Sequence, residues 1–339
     1  MLNNSNRCYM NTTFQSLLKI PGLSEYFLSG LYLLEIQRGD PETLCSRFYE
    51  LAVANQKNTD ATLDPQVLVQ IIHKNNSMFS PDSQEDAHEF LLYLLNEMSD
   101  ELSRVRKNPV KTRSLVIKPE GRSEKRKMTA SNHVGGLFWS KGQSIVKQME
   151  ETEDQKKLKA LEKGLTNPKL SQEERTAMLE EWSFLKWEEH LAKNQSIISD
   201  VLLGQMLSTI KCSACKVSAY NFDPYLILEL SLPDDAKEIG FNELMKFNWK
   251  KKKGTEETVE WKCPSCNQSS KGLCTGEIWK IPPVLIVSFN RFVMVDNRFR
   301  KNTCVVNIKP QEDMSEFISS PCHAAGLKYE PFLAIVRSD

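Results

Sequence analysis

Glycine is scarce, at 14 of 339 residues, and neither GxGxxG nor GxxxxGK[ST] occurs. A glycine-cradled nucleotide site of either kind therefore has no support. Net charge is also absent. Lys plus Arg number 44 and Asp plus Glu number 44. A globally basic nucleic-acid binder is not indicated by that balance. Long apolar runs are missing as well. Phe90 to Leu95 and Val284 to Val287 fall far short of the ~20 residues that a helix needs to cross a bilayer. The opening Met1-Leu-Asn-Asn-Ser-Asn6 is polar and lacks the apolar segment of a secretory signal. These absences predict no membrane span and an intracellular protein of the cytoplasm, the nucleus or both. In that reducing setting the nine cysteines serve metals or catalysis rather than disulfide staples.

What is present points to a packed globular chain. Hydrophobic residues make up 40% and charged residues 26%, which suits a real core rather than wholesale disorder. At about 100–200 residues per domain, the length fits one large or two ordinary domains. Met10, Phe14, Leu17 and Leu18 recur at helical spacing and predict a helix over 8–20, ended by Pro21-Gly22. Asp64-Pro65 predicts a second helix start, with Asp64 as N-cap. The clearest helix is expected over 84–102, capped by Ser83 with Asp86 three residues on. Its stripe is Ala87, Phe90, Leu91, Leu94, Leu95, Met98 and Leu102.

Composition then shifts. Residues 104–127 hold ten Lys or Arg against Glu120 and Glu124, and read as a solvated basic loop. Residues 150–181 carry nine Asp or Glu against six Lys or Arg. Ser171 with Glu174 predicts a capped helix whose apolar face includes Met178, Trp182 and Leu185. Residues 104–180 thus read as an insertion. From about 200 the pattern turns to strands. Leu226, Leu228, Leu230 and Leu232 alternate with Ile227, Glu229 and Ser231 as in a half-buried strand. Val284 to Phe289, after Pro282-Pro283, predicts a central strand. Cys304 to Ile308 and Phe332 to Val336 are further strand candidates. Helices first and strands later give an α+β class.

Two cysteine pairs carry the strongest chemistry readable from the residues alone. Cys212-x-x-Cys215 and Cys263-x-x-Cys266 each place two sulfurs on one knuckle. Two knuckles complete a four-cysteine tetrahedral set with no open position for water, which predicts structural rather than catalytic zinc. The bland alternative is two unrelated pairs. Cys274 follows closely and is a competing ligand, but Cys274, Cys45, Cys304 and Cys322 read better as small buried apolar residues.

Cys8 begins the first helix. There the positive end of the helix dipole favours the nucleophilic thiolate. Asn3, Asn4 and Asn6 crowd just upstream, where an amide donor is suited to an oxyanion. The run Asn3-Asn-Ser-Asn-Arg-Cys8-Tyr-Met-Asn-Thr-Thr-Phe-Gln15-Ser-Leu resembles the cysteine box of the ubiquitin-specific proteases. Ser83-Gln-Glu-Asp86-Ala-His-Glu-Phe90 resembles that family's second box. Ser196-Ile-Ile-Ser-Asp200, Gly204-Gln205 and the first knuckle are similar to the entry to its zinc-bearing fingers. Val284 to Phe292 resembles a late core strand, and Tyr329 to Val336 resembles the strand before its histidine box.

The resemblance implies a papain-like fold shaped as a hand. Residues 1–103 would be a helical thumb, 104–195 a charged insertion with a connecting helix, and 196–339 the fingers and palm, together one catalytic-type domain. It implies thiol-dependent hydrolysis at the C-terminal glycine of ubiquitin, with ubiquitin or ubiquitinated proteins as partners and a monomeric chain. Cys8 would be the nucleophile and Asn3 the oxyanion donor. Gln84 and Asp86 would contact the substrate tail, and Cys212, Cys215, Cys263 and Cys266 would hold zinc.

The sequence departs from the family pattern in three places. Ser5 stands where the family has Gly, which restricts the backbone turn that points Asn3 inward. Arg7 stands where it has Thr and puts a cation beside the thiol. The family's general-base histidine follows the last matched strand, but here Val336 is followed by Arg-Ser-Asp339. His88 is expected to face solvent, and His323 precedes that strand. Ser5 and Arg7 leave the direction on activity open, while the missing base predicts poor turnover, since acid–base catalysis is worth about 10²–10⁴-fold. They set a protease in shortened form against a pseudoenzyme that binds ubiquitin. A zinc-ribbon nucleic-acid module stands behind both, because no stacking aromatics interleave with the basic block.

Overall fold

The computed structural model describes residues 1, 6–36, 43–57, 63–105, 153–167, 169–249, 257–295, 298–323 and 326–334. The first part is helical: α1 (Cys8–Leu17), α2 (Pro21–Leu28), α3 (Tyr32–Glu35), α4 (Leu44–Lys57), α5 (Gln66–Asn75) and α6 (Ala87–Glu101). Met10, Phe14 and Leu17 of α1 meet Leu23, Phe27, Phe48, Ile72 and the α6 stripe in one core. The stripe is buried from Phe90 to Leu102 as its period requires.

Three boundaries differ from the sequence expectation. The first helix stops at Leu17, and Pro21 opens α2 instead of closing α1, because a proline at a first helical position forfeits no hydrogen bond. In α5 the N-cap residue is Pro65, while Asp64 Oδ1 accepts from Gln66 N at 3.0 Å. The cap of α6 is Asp86, whose Oδ1 accepts from His88 N at 2.7 Å. Ser83 is not that cap, because its hydroxyl donates to Glu85 at 2.8 Å.

Residues 153–195 are more ordered than an insertion of solvated charge implies. Helices α7 (Glu153–Leu165) and α8 (Gln172–Asn194) form a hairpin. The capping box predicted at Ser171 and Glu174 is present, with bonds of 3.1 and 2.9 Å. Leu161, Leu165, Leu179 and Trp182 bury a shared apolar face against Leu207, Phe222 and Trp279 of the sheet. The excursion leaves and returns at one point, since Arg104 N donates to Gln195 O at 2.8 Å. Arg104 also pairs with Glu35 and Asp200, across the same base. The basic residues 106–127 lie outside the described residues.

Helix α9 (Ile197–Leu202) packs Ile198 and Leu202 into the helical core. Then come β1 (Gly204–Cys212), β2 (Ser218–Tyr225), β3 (Ile227–Ser231), β4 (Glu238–Gly240) and α10 (Phe241–Trp249). They are followed by β5 (Glu257–Lys262), β6 (Ser269–Lys280), β7 (Ile286–Asn290), β8 (Phe292–Val295), β9 (Arg298–Lys301), β10 (Val305–Asn307), β11 (Glu312–Asp313) and β12 (Lys328–Tyr329). The largest sheet is antiparallel in the order β2-β1-β6-β5. Strands β3 and β7 pair in parallel and form a wall between two cores. Leu228 and Leu230 face the core of α10, Ile278 and Ile318, while Ile227 and Ile286 pack against the helical core. The period-2 reading of β3 is realised residue by residue.

Two strand expectations are corrected. The run from Val284 starts its strand only at Ile286, because Val284 N donates to Val201 O at 3.0 Å instead of to a ladder. Among the described residues β7 pairs with β3 alone, so it is not central. Residues 331–334 form no strand, and Phe332 and Leu333 stay exposed. Pro331 offers no N–H to a ladder there. Residues 335 and 336 lie outside the described residues. Among the described residues, no helix is long and apolar enough to cross a membrane.

Candidate active site and metal centre

The four predicted metal ligands come together at one end of the large sheet. One knuckle joins β1 to β2 and the other joins β5 to β6. Their backbones match. Lys216 N donates to Cys212 O at 3.0 Å and Asn267 N to Cys263 O at 2.8 Å. Cys212 N donates to Val217 O at 2.9 Å and Cys263 N to Gln268 O at 3.0 Å. The residue after each second cysteine is left-handed, Lys216 at φ 62° and Asn267 at φ 58°. Asn tolerates that region better than other side chains, so only the second knuckle shows a local signal for its turn.

The sulfurs of Cys212 and Cys266 are 3.9 Å apart, and those of Cys215 and Cys263 are 3.7 Å apart. All four lie within 4.8 Å of one another. A regular tetrahedron with metal–sulfur bonds of ~2.3 Å has edges of about 3.8 Å. The four cysteines can therefore hold one metal ion. Cys274 is outside this group. Cys45 and Cys304 are buried as expected, but Cys322 is exposed, because the turn at 321–323 lifts it from the core.

The thiol of Cys8 is exposed at the first position of α1. The N-cap residue Arg7 makes no side-chain capping bond and no acid lies in the first turn, so the positive dipole end of the helix sits beside the thiol. Packing brings this start against the second sequence box. Tyr9 stacks edge-on with Phe90 at 5.3 Å, and Phe14 does so at 5.8 Å. Tyr9 Oη donates to Ser80 O at 3.2 Å, and Asn6 Nδ2 donates to Asp82 O at 3.1 Å. Burial pushes the Tyr9 phenol well up, with Glu85 and then Cys8 adding to it, so it acts here as a neutral donor. The loop over 80–86 thus lies along residues 6–9, with Gln84 just before α6 and Asp86 at its cap. Asn3 lies outside the described residues.

The four described histidines sit elsewhere. His73 Nδ1 is 3.3 Å from Phe79 O. His190 is in α8, where burial and then Lys193 lower its pKa. His323 is in the turn at 321–323, where burial, then Lys280, lower its pKa against Glu180. His88 corrects an expectation, because it does not face open solvent. Its Nε2 is 3.7 Å from Glu229 Oε1 on β3, across the boundary between the helical core and the wall. Asn290 Nδ2 donates to the other oxygen of Glu229 at 3.4 Å. Glu229 was legible only as an exposed position of an alternating strand.

The family model described as ubiquitin carboxyl-terminal hydrolase matches residues 1–330. The chain belongs to this ubiquitin carboxyl-terminal hydrolase family. It is similar to ubiquitin carboxyl-terminal hydrolase 12 of Saccharomyces cerevisiae, 27% identical over 246 residues, which are 69% of this chain and 16% of that protein. It is also similar to probable ubiquitin carboxyl-terminal hydrolase 4 of Schizosaccharomyces pombe. There the identity is 23% over 343 aligned positions, covering 98% of this chain and 48% of that protein. The chain thus spans less than half the length of either hydrolase. Among solved structures, the SAGA Ubp8/Sgf11/Sus1/Sgf73 DUB module bound to ubiquitin aldehyde has a chain matching at TM-score 0.56 and 17% identity. That match covers 94% of this chain and 53% of that chain. At this identity the likeness shows the fold, and the hydrolase family's α+β hand is the architecture described above.

Proposed function

We propose that this chain carries a thiol hydrolase site for amide and isopeptide bonds at the C-terminal glycine of ubiquitin. One observation carries the reading: an exposed cysteine at an uncapped helix start, held against the α6 box. Cys8 attacks the glycine carbonyl as a thiolate. Asn3 donates to the oxyanion, and Asp86 and Gln84 contact the substrate tail. The amine leaves with a proton, and water then cleaves the thioester to a carboxylate. The relatives' names and the ubiquitin aldehyde bound in the DUB module support ubiquitin as the partner.

On the same reading residues 1–103 are the thumb, 104–195 the insertion with its connecting helix, and 196–339 the fingers and palm. Zinc is the metal we assign to Cys212, Cys215, Cys263 and Cys266. A closed set of four thiolates supplies folding energy rather than a Lewis acid. It ties the β1–β2 hairpin to the β5–β6 hairpin.

A second reading is a ubiquitin-binding chain without turnover. It is favoured by the absence, among the described residues, of any histidine hydrogen-bonded to Cys8. Hydrolysis of a fluorogenic ubiquitin C-terminal amide separates the two. Steady release that vanishes in Cys8→Ala supports the hydrolase. Binding of ubiquitin without release supports the second reading, and the absence of both defeats the two together.

A further inference from the structure

Two polar side chains span the boundary between the helical core and the β3–β7 wall, and they meet at the α6 box. His88 is the second residue of α6, and its backbone N–H is already committed to the Asp86 cap at 2.7 Å. Its ring crosses to β3. There Nε2 stands 3.7 Å from Glu229 Oε1, is closed off from solvent and has no hydrogen-bond partner. Glu229 is held from its other side, where Asn290 Nδ2 of β7 donates to Oε2 at 3.4 Å. The charge facing His88 from β3 is therefore Glu229, and β7 adds the neutral Asn290. On its own helix Asp86 is committed to the cap, and Glu89 is the next residue. Among the described residues no Lys or Arg pairs with Glu229, which leaves the imidazole as its cation.

A buried ring nitrogen without a partner is unfavourable. Protonation changes its situation, because the ring then carries a charge and a proton on Nε2 opposite a carboxylate. A closure of about 0.8 Å reaches the usual N–H···O distance. Imidazole ordinarily changes charge between pH 5 and 8. The attraction is thus whole at the acid end of that range and is lost as pH rises through it. We propose that His88 and Glu229 form a pH-dependent latch that fixes the α6 box against the β3 wall. His88 is thereby a positioning residue, acting through the helix start that carries Asp86. This deepens the reading of that box as the contact for the ubiquitin tail and rests on it. Ubiquitin then binds more tightly at pH 6 than at pH 8.

The test uses the 339-residue chain with His88→Gln, Glu229→Gln and the double change, each at pH 6 and pH 8. Urea midpoints come first, because they need no ubiquitin and show whether each variant folds. The double-mutant cycle should give a coupling at pH 6 of about 1.5- to 5-fold in the unfolding constant, the range for a partly exposed pair, and a smaller one at pH 8. Calorimetric titration with ubiquitin comes second. The wild-type ratio of affinities at pH 6 and pH 8 should exceed the ratio in either single variant by about the same factor. No coupling at pH 6, or an equal coupling at both pH values, overturns the latch. An affinity ratio that both variants leave unchanged overturns the positioning role, even where both bind more weakly, which would mark His88 as structural. If the wild-type chain fails to bind ubiquitin at either pH while the coupling keeps its pH dependence, the positioning role falls with the ubiquitin reading and the latch is upheld.

Discussion

Phe90 holds the two halves of the proposed site together, and its truncation offers a quantitative check. The side chain is fully buried. Its ring meets Tyr9 at 5.3 Å, Phe14 at 5.8 Å and Phe79 at 5.2 Å, all edge-on. Two of those rings come from α1 and the third from the segment after α5, while Phe90 itself is on α6. Phe90→Ala removes every one of these contacts and leaves a cavity that three rings cannot all collapse into. Buried Phe→Ala changes cost about 3–5 kcal/mol. Each edge-to-face pair adds about 0.5–1.5 kcal/mol beyond the area buried, so the upper half of that range is expected. Against a total stability of about 5–15 kcal/mol, this is a large fraction. Equilibrium urea denaturation followed by far-UV circular dichroism measures it as a lower midpoint at similar slope. Hydrogen exchange of the α1 amides should accelerate in the same variant, because α1 loses its anchor on α6. A loss below about 1 kcal/mol, the middle of the ordinary range for point changes, would refute the claim that Phe90 joins the two boxes.

Three further outcomes follow from the same structure. Stripping metal from zinc-loaded chain with a strong chelator should make Cys212, Cys215, Cys263 and Cys266 newly reactive to a thiol reagent; unchanged thiol counts would argue against a shared ion. Gly204→Ala should lower the melting temperature, because the added methyl would sit 2.4 Å from the Tyr225 ring, at a cost of about 1–3 kcal/mol. Gly276→Ala, whose nearest neighbour is Met206 Sδ at 3.6 Å, should stay within about 0.5 kcal/mol, and equal effects would count against the packing. Burial pushes Tyr93 and Tyr329 up to about 12, with Glu97 and Glu101 adding at Tyr93. The native state therefore favours the neutral phenols. Their contribution is whole below the unfolded value of about 10 and is lost as pH rises toward 12. A urea midpoint lower at pH 11 than at pH 9 is expected, and an unchanged midpoint would contradict it.

The parts of this fold that were legible from sequence are those fixed by local pattern. The α6 stripe, the capping box at Ser171 and Glu174, the alternation of β3 and the paired knuckles each follow from spacing alone. The parts that escaped depend on distant partners. The first amides of α4, at Leu44 and Cys45, are satisfied by the distant Glu101 carboxylate at 3.1 and 2.8 Å, while only Ser46 N is met locally, by Thr43 Oγ1 at 3.1 Å. Helix α7 is mostly charged, and its place is set by Leu161 and Leu165 meeting Trp182 and Phe222. His88 lies on a helix flank that reads as solvent-facing until β3 delivers Glu229. The stretch from Phe332 has a strand's composition, but residues 332–334 meet no partner ladder among the described residues. At the site itself, the cysteine position was readable, whereas the burial of Arg7 was not, since position 7 carries no periodic signal.

The central claim is that Cys8 reacts at the C-terminus of ubiquitin. The most direct measurement is to incubate the chain with ubiquitin bearing a C-terminal thiol-reactive electrophile and to map the adduct by peptide mass spectrometry. A single covalent ubiquitin adduct is expected on the peptide containing Cys8, lost in Cys8→Ala and slowed by excess free ubiquitin. No adduct, or one carried by another of the chain's cysteines such as the exposed Cys322, would contradict it.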